Sequence, residues 1–281
     1  MQKEQEVREV AGRIAAGTRQ RWELASRIGS IVRLVDLLWV LTQSDLRFRY
    51  GRGPWRFIRW FLEPFALVGV YLVLLTFVLD RPGTLVGLSL ACAIVPFQFV
   101  ILTVMNAMGA LDVRRPILLN MRFRRMLIPT ASAITETLGF ASSFFLIILM
   151  MAAYRVTPTW NVLWFPLILL VNLSLAAAAA YPAVIFGIWL RELRAFIISF
   201  IRILFFLSPG LVPLSEARPD VRHLLEFNPL SGLFEAYRAV FMFGRPPAPW
   251  ELLYPLAATA LLLIVFVPVY RSEQRQFAKV I

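Results

Sequence analysis

Long uncharged runs alternate with short charged connections from about residue 60 to the end of the chain. A helix needs roughly 20 mostly apolar residues to cross about 30 Å of hydrocarbon, and several runs reach that length. The pattern predicts six spans. The first covers residues 60–79 and carries only Glu63; the second, 85–108, is uncharged with Pro96 inside it. The third, 128–153, holds Glu136, and a fourth fills the uncharged stretch between Arg155 and Arg191, where Pro166 and Pro182 predict kinks or a tilted helix. The fifth, 195–212, holds Arg202, and the sixth, 252–270, is again uncharged.

Ahead of the first span the period changes. Ile28, Ile31, Val32, Val35, Leu38, Trp39, Thr42 and Leu46 recur at three- and four-residue steps, with Arg33, Asp36 and Gln43 between them. This is one stripe of an amphipathic helix, and Arg47, Arg49, Arg52, Arg56 and Arg59 just beyond it can reach lipid phosphate. The expected organisation is a polar arm over 1–27, an interfacial helix over 28–50 and a six-span domain over 51–281. Between spans five and six, residues 208–251 hold two amphipathic pieces, 221–227 and 230–243, punctuated by Pro213, Pro219, Pro229 and the Pro246-Pro247 pair. They are too short and too polar to span, and read as short external re-entrant helices forming a lid. The fold class is an all-α polytopic membrane protein.

Composition agrees: 59% of the 281 residues are hydrophobic. The formal charge of +12 would suggest nucleic acid if it formed one patch, but the basic residues sort by loop. The side holding both tails receives 22 of them and the other side 6, with Arg202 inside a span. Basic residues concentrate on the cytoplasmic side, so both termini are expected there. The N-terminus through Arg27 has no apolar core of the kind a signal peptide needs.

Chemistry is sparse. The single Cys92 lies in an apolar run and reads as a small buried hydrophobe; one cysteine can form no internal disulfide. The two lysines, Lys3 and Lys279, do not follow glycine, so the Gly-Lys step of a phosphate-binding P-loop is missing. If ATP drives this chain, ATP and its magnesium bind another subunit. The lone histidine, His223, stands one turn from Glu226 and reads as a surface hydrogen-bonding group. Glu63 and Glu136 can pair with arginines near the cytoplasmic rim, whereas Arg202 can snorkel, pair, or meet an anionic lipid-linked headgroup. No catalytic residue, cofactor site or metal site is expected.

Three stretches resemble ABC-2-type permeases that export capsular polysaccharide, O-antigen and teichoic acid chains. The first is "LLWVLTQSDLRFRYGR" followed by "FLEP", with Asp45, Arg49, Tyr50, Glu63 and Pro64 on matching positions. The second is "VMNAMGALDVRRPILL" with "LIPTASAITET", including Asn106, Pro129 and Glu136. The third runs from "WLRELRAF" through "FFLSPG" to "NPLSGLFEAYRAV" and holds Arg191, Ser208, Pro209, Asn228, Pro229, Glu235 and Arg238. The Glu-Pro step is closer to the capsule branch and the third stretch to the O-antigen and teichoic branch. The chain departs from the family just before the first span, where Trp55-Arg56 and Arg59 replace the usual Leu-Gly and Trp.

The resemblance implies a homodimer around a channel lined by spans one and five, each copy docking a separate ATPase in the bacterial plasma membrane. Candidate channel residues are then Arg202 and the aromatics Phe61, Phe65, Tyr71, Phe196, Phe200 and Phe206, whose rings could stack on sugars. Candidate ATPase contacts are Asp45, Arg47, Arg49, Arg114, Arg115, Arg122, Arg191, Glu192 and Arg194. The external lid would use Asn228, Pro229, Glu235 and Arg238, the last two at i, i+3 where they can pair or cross the dimer axis. The rival readings are an ABC-2 permease for a drug or small lipid, and a membrane-embedded transferase.

Overall fold

A computed structural model describes residues 38–43, 55–78, 85–113 and 126–274, and every regular element among them is helical. The chain divides into two units at the boundary between Asp45 and Leu46. In the first, residues 38–43 form a short helical stretch with Trp39 and Val40 exposed, and the rest of the expected polar arm and interfacial helix lies outside the described residues.

Among the described residues the second unit holds eight α-helices: α1 (Trp55–Val73, continued by a π-turn at Leu74–Val78), α2 (Val86–Val113), α3 (Leu127–Ala153), α4 (Phe165–Trp189), α5 (Arg194–Phe206), α6 (Pro219–Glu226), α7 (Pro229–Phe241) and α8 (Pro249–Glu273). Among the described residues, three helical stretches are long and apolar enough to cross a membrane: Val86–Asp112, Trp160–Trp189 and Pro249–Glu273. Shorter apolar segments occupy Pro64–Val78 of α1 and Ser143–Ala153 of α3. The first half of α3 is polar because it carries Ser132, Thr135 and Thr137. Those hydroxyls donate to carbonyls one turn back, at Ile128 (3.2 Å), Ala131 (2.9 Å) and Ala133 (2.9 Å), and so satisfy themselves inside the helix.

α2 is apolar on every side, and it is buried without a break from Gly87 to Ile101. It packs against α1, α3, α4, α5 and α7 and forms the axis of the bundle. Its contact with α4 is close because α4 presents small residues, with Ala176, Ala180, Ala183 and Gly187 all buried. At Gly187 a methyl group would fall 2.2 Å from the carbonyl oxygen of Met108, so the backbones touch. α8 packs on α4 and α7 with one side, and turns Leu253, Leu261 and Ile264 outward. That is the distribution expected of a helix facing lipid.

Two features depart from expectation. Pro166 lies in the first turn of α4, where its missing N–H has no helical partner to lose, so only Pro182 interrupts the helix. The fifth apolar run is helical only to Phe206. At about 1.5 Å per residue, the 13 residues of α5 extend roughly 20 Å, short of the hydrocarbon thickness. Pro209 disfavours helical geometry at Ser208, whose hydroxyl turns back to donate to the Phe205 carbonyl at 2.7 Å. Of the two short helices expected between spans five and six, α7 is buried at every residue from Leu230 to Phe241. α6 keeps the expected exposure, with Val221 and Leu224 facing out.

Candidate functional site along α5

α5 is held at both ends by polar contacts and borders a cavity between them. At its start, Asp112 near the end of α2 accepts from two arginines: Arg191 Nη2 lies 2.8 Å from Oδ1 and Arg194 Nη2 lies 2.9 Å from Oδ2. Arg194 also donates through Nε to the carbonyl of Gly187 at 2.9 Å, in the last turn of α4 where carbonyls lack helical partners. One carboxylate and one guanidinium thus join the ends of α2 and α4 to the start of α5. Glu192 beside them is exposed.

The opposite end of α5 is fastened more deeply. Asn228 caps α7 by accepting from the Leu230 N–H at 3.0 Å, while its Nδ2 donates to the carbonyl of Leu204 at 2.7 Å. Pro229 takes the first position of α7, where a missing N–H costs nothing. One turn and a half further, Glu235 and Arg238 form an ion pair at 2.8 Å with the arginine wholly enclosed. Arg238 spends its remaining donors on Pro209 O (2.6 Å), Gly210 O (3.2 Å) and Ser89 Oγ (3.0 Å). Glu235 Oε1 also accepts from the Leu214 N–H at 3.2 Å. The pair therefore stitches the turn after α5 to α7 and to the first turn of α2. A buried pair needs such auxiliary hydrogen bonds to offset its desolvation. Of the two arrangements open to Glu235 and Arg238, the structure adopts pairing within the chain.

Between these ends, α1, α2 and α5 border a half-open cavity of about 610 Å³. Tyr71, Arg202 and Phe206, three of the candidate channel residues, line it together with Phe97, Gln98 and Phe205. The rings form a cluster, with Phe205 centred 4.8 Å from Phe97 and 6.0 Å from Tyr71, and Tyr71 6.3 Å from Phe206. Phe65 packs half-buried against the core, and Phe196 and Phe200 are exposed on α5 beyond the cavity. The side chain of Phe61 lies outside the described residues, as do Asp45, Arg47, Arg49, Arg114, Arg115 and Arg122.

Two residues singled out by resemblance meet across 30 positions: Asn106 Nδ2 on α2 donates to Glu136 Oε1 on α3. His223 is exposed and its Nδ1 lies 3.7 Å from Glu226 Oε2. Among the described residues, no group of three His, Cys, Asp or Glu side chains could hold a metal ion. Asp112, Ser89 and Gly187 were not foreseen; the signal for Asp112 was a lone acid ending an apolar run just ahead of Arg114 and Arg115.

Membrane-length apolar helices around a core pinned by buried polar contacts define a polytopic helical membrane protein. No protein-family profile matches the chain. It is 28% identical over 245 residues to the O-antigen export system permease protein RfbA of Myxococcus xanthus, a match spanning 86% of this chain and 94% of that protein. Two proteins of the same description from Klebsiella pneumoniae are each 22% identical over 250 residues, covering 88% of this chain and 96% of their own length. The chain is thus a homologue of O-antigen export permeases, in agreement with its motif-level resemblance to ABC-2-type polysaccharide exporters.

Proposed function

We propose that this chain is the permease subunit of an ATP-driven exporter that carries a lipid-linked polysaccharide, of O-antigen type, out of the cytoplasm across the bacterial plasma membrane. The observation that carries this reading is end-to-end similarity to O-antigen export permeases, over 94 to 96% of their length. A shared domain alone would leave much of those proteins unmatched.

In this reading the chain crosses the bilayer six times, with both termini in the cytoplasm, which the 22 to 6 division of basic residues supports. The end bearing Asp112, Arg191 and Arg194 then faces the cytoplasm, and the end bearing Ser208, Asn228 and Arg238 faces outward. ATP and magnesium bind a separate ATPase subunit, two copies of which dock on a dimer of this chain. Force delivered to the start of α5 passes through its two anchored ends to the outer turn, because rigid elements with fixed contacts transmit displacement. Tyr71 and Phe206 supply flat apolar faces toward the passing polymer.

The test is complementation. The chain and its cognate ATPase are expressed in a strain that makes the polymer but lacks its own permease, and surface polysaccharide is measured. Restored surface polymer that depends on the ATPase supports the reading. Polymer retained inside the cell despite stable expression of both subunits refutes it.

A further inference from the structure

A 3-10 turn, Trp160–Trp164, leads into α4 and turns large apolar side chains away from the protein. Trp160 is 89% exposed, Leu163 74% and Trp164 42%, and the exposed face continues down α4 through Leu167 and Leu170. These residues recur at helical spacing and form one stripe. α8 repeats the order, with Trp250 in its first turn and then Leu253, Leu256, Leu261 and Ile264, all exposed. The starts of the two helices are tied together. Asn161 Nδ2 donates to the Gly244 carbonyl at 2.6 Å, and Thr159 Oγ1 lies 3.4 Å from the same oxygen. Gly244 has a φ of +60°, and a methyl group there would fall 2.8 Å from Thr159 Cγ2, so the two loops touch. Arg245 then pairs with Glu251 Oε1 at 2.7 Å, and Glu251 Oε2 accepts from the Ala248 N–H at 2.9 Å, which fixes the first turn of α8.

A packed helix is a poor occupant for the stripe. Helices associate in lipid through small residues, and α4 presents Ala176, Ala180, Ala183 and Gly187 to α2. A sugar chain is also a poor one, because Leu163, Leu167 and Leu170 carry no hydrogen-bonding group and Asn161 turns inward to Gly244. A bilayer changes in the same order as the stripe, from a headgroup zone that indole favours to hydrocarbon that aliphatic side chains favour. At about 2.0 Å per residue in the 3-10 turn and about 1.5 Å in α4, Trp160 to Leu170 covers about 17 Å. One leaflet's share of the hydrocarbon is about 15 Å. We infer that Trp160, Leu163, Trp164 and Trp250 are seated at the membrane–water interface of one leaflet, as an anchor that sets how deeply α4 and α8 lie in the bilayer. In the orientation proposed above this is the outer leaflet. The inference uses only the membrane-spanning character of α4 and α8, and it holds whatever the chain exports.

Cys92 is the chain's only cysteine and is buried, so nitroxide labels are placed one at a time on full-length Trp160→Cys, Leu163→Cys and Leu170→Cys variants. In vesicles of phosphatidylcholine and phosphatidylglycerol, power saturation compares access of oxygen, which concentrates in hydrocarbon, with access of a nickel chelate, which stays in water. The oxygen-to-nickel ratio is expected to rise several-fold from 160 through 163 to 170. Nickel access dominating at all three positions would place the stripe in water. Exclusion of both reagents would mean that a second copy or another protein covers it, and either result overturns the inference. Anchoring is read by adding Trp164→Ala and Trp250→Ala to the Leu163→Cys variant. With those indoles gone the stripe is drawn inward, and the ratio at 163 is expected to rise toward that at 170. An unmoved ratio would overturn the anchoring role. Failure here leaves the complementation result standing, because that experiment reads export and this one reads depth in the bilayer.

Discussion

Arg238 on α7 reaches back 29 residues to the carbonyl oxygen of Pro209, 2.6 Å away, and closes the turn that ends α5. The same guanidinium neutralises Glu235 and bonds Ser89, so three elements share one enclosed cation. Removing one member of a buried pair leaves the other charge uncompensated, at a cost of about 3–5 kcal/mol. Arg238→Ala is therefore expected to lower the thermal unfolding midpoint in detergent more than any single exposed arginine replacement. The double variant Glu235→Leu with Arg238→Met recovers part of the loss, since it removes both charges and leaves only neutral groups unpaired. Equal damage in the single and the double variant would show that the hydrogen bonds to the turn, and not the charge balance, hold the structure.

The contact between α2 and α4 makes a sharper stability prediction. A methyl group on Gly187 would meet backbone at Met108, which has no flexible end to move aside, whereas one on Gly109 would meet nothing within 4 Å. Gly187→Ala is expected to destabilise by about 1–3 kcal/mol through overpacking. Gly109→Ala is expected to be neutral, or stabilising by up to about 1 kcal/mol through helix propensity. Unfolding midpoints of the two purified variants, measured side by side, decide between backbone contact and a general intolerance of substitution in these helices.

Those helices were legible in the sequence because their signal is length and absence of charge, which burial and lipid both demand. The uncharged runs at 85–108 and 252–270 lie in α2 and α8, whose ends fall within five residues of those bounds. The burial of α7 on every side was not legible, for a physical reason. Glu235 and Arg238 give it a polar face, and a one-dimensional pattern does not reveal that the two charges cancel inside the core. The end of α5 was placed too late because hydrophobicity continues to Val212, while the Ser208-Pro209 step ends the helix through backbone geometry. Asp112 was passed over because the loop after it was read for its basic residues. Its partners, Arg191 and Arg194, lie about 80 positions away, and no local pattern links them.

Asn228 does two jobs that different substitutions can separate. Its Oδ1 caps α7 through the Leu230 N–H, and its Nδ2 holds the Leu204 carbonyl at the end of α5. Asn228→Ala loses both. Asn228→Ser keeps an acceptor for the cap, worth about 1 kcal/mol, and loses the tie to α5. If the tie matters for export, the serine variant should regain thermal stability relative to alanine while surface polymer stays low in both. Export restored along with stability would reduce Asn228 to a helix cap.

The cavity aromatics give a prediction that rests on the proposed channel. Tyr71 and Phe206 lie together on the cavity wall, Phe206 half exposed and Tyr71, like Phe65, half-buried against the core. Replacing Tyr71 and Phe206 with alanine is expected to reduce surface polymer several-fold, with expression unchanged for Phe206→Ala, because ring faces that sugars could use are lost. Phe65→Ala is expected to act through stability, lowering expression and export together. Undiminished polymer in the Tyr71 and Phe206 variants would dismiss those rings as sugar platforms.

Asp112 offers the clearest separation of stability from transmission. Its two ion pairs are partly exposed, and such pairs contribute about 0–1 kcal/mol each, so Asp112→Asn is expected to leave the unfolding midpoint nearly unchanged. Yet those pairs are the polar link by which the end of α2 grips the start of α5, and the asparagine keeps at most one neutral acceptor for two guanidinium groups. If this end receives the motion of an ATPase, the variant should assemble with that subunit and permit ATP hydrolysis while surface polymer falls about tenfold, a loss of about 1.4 kcal/mol in coupling. Asp112→Glu, which restores the charge on a longer stem, should recover part of the export. Normal export by Asp112→Asn would mean that force, if it enters α5 at all, arrives through other contacts.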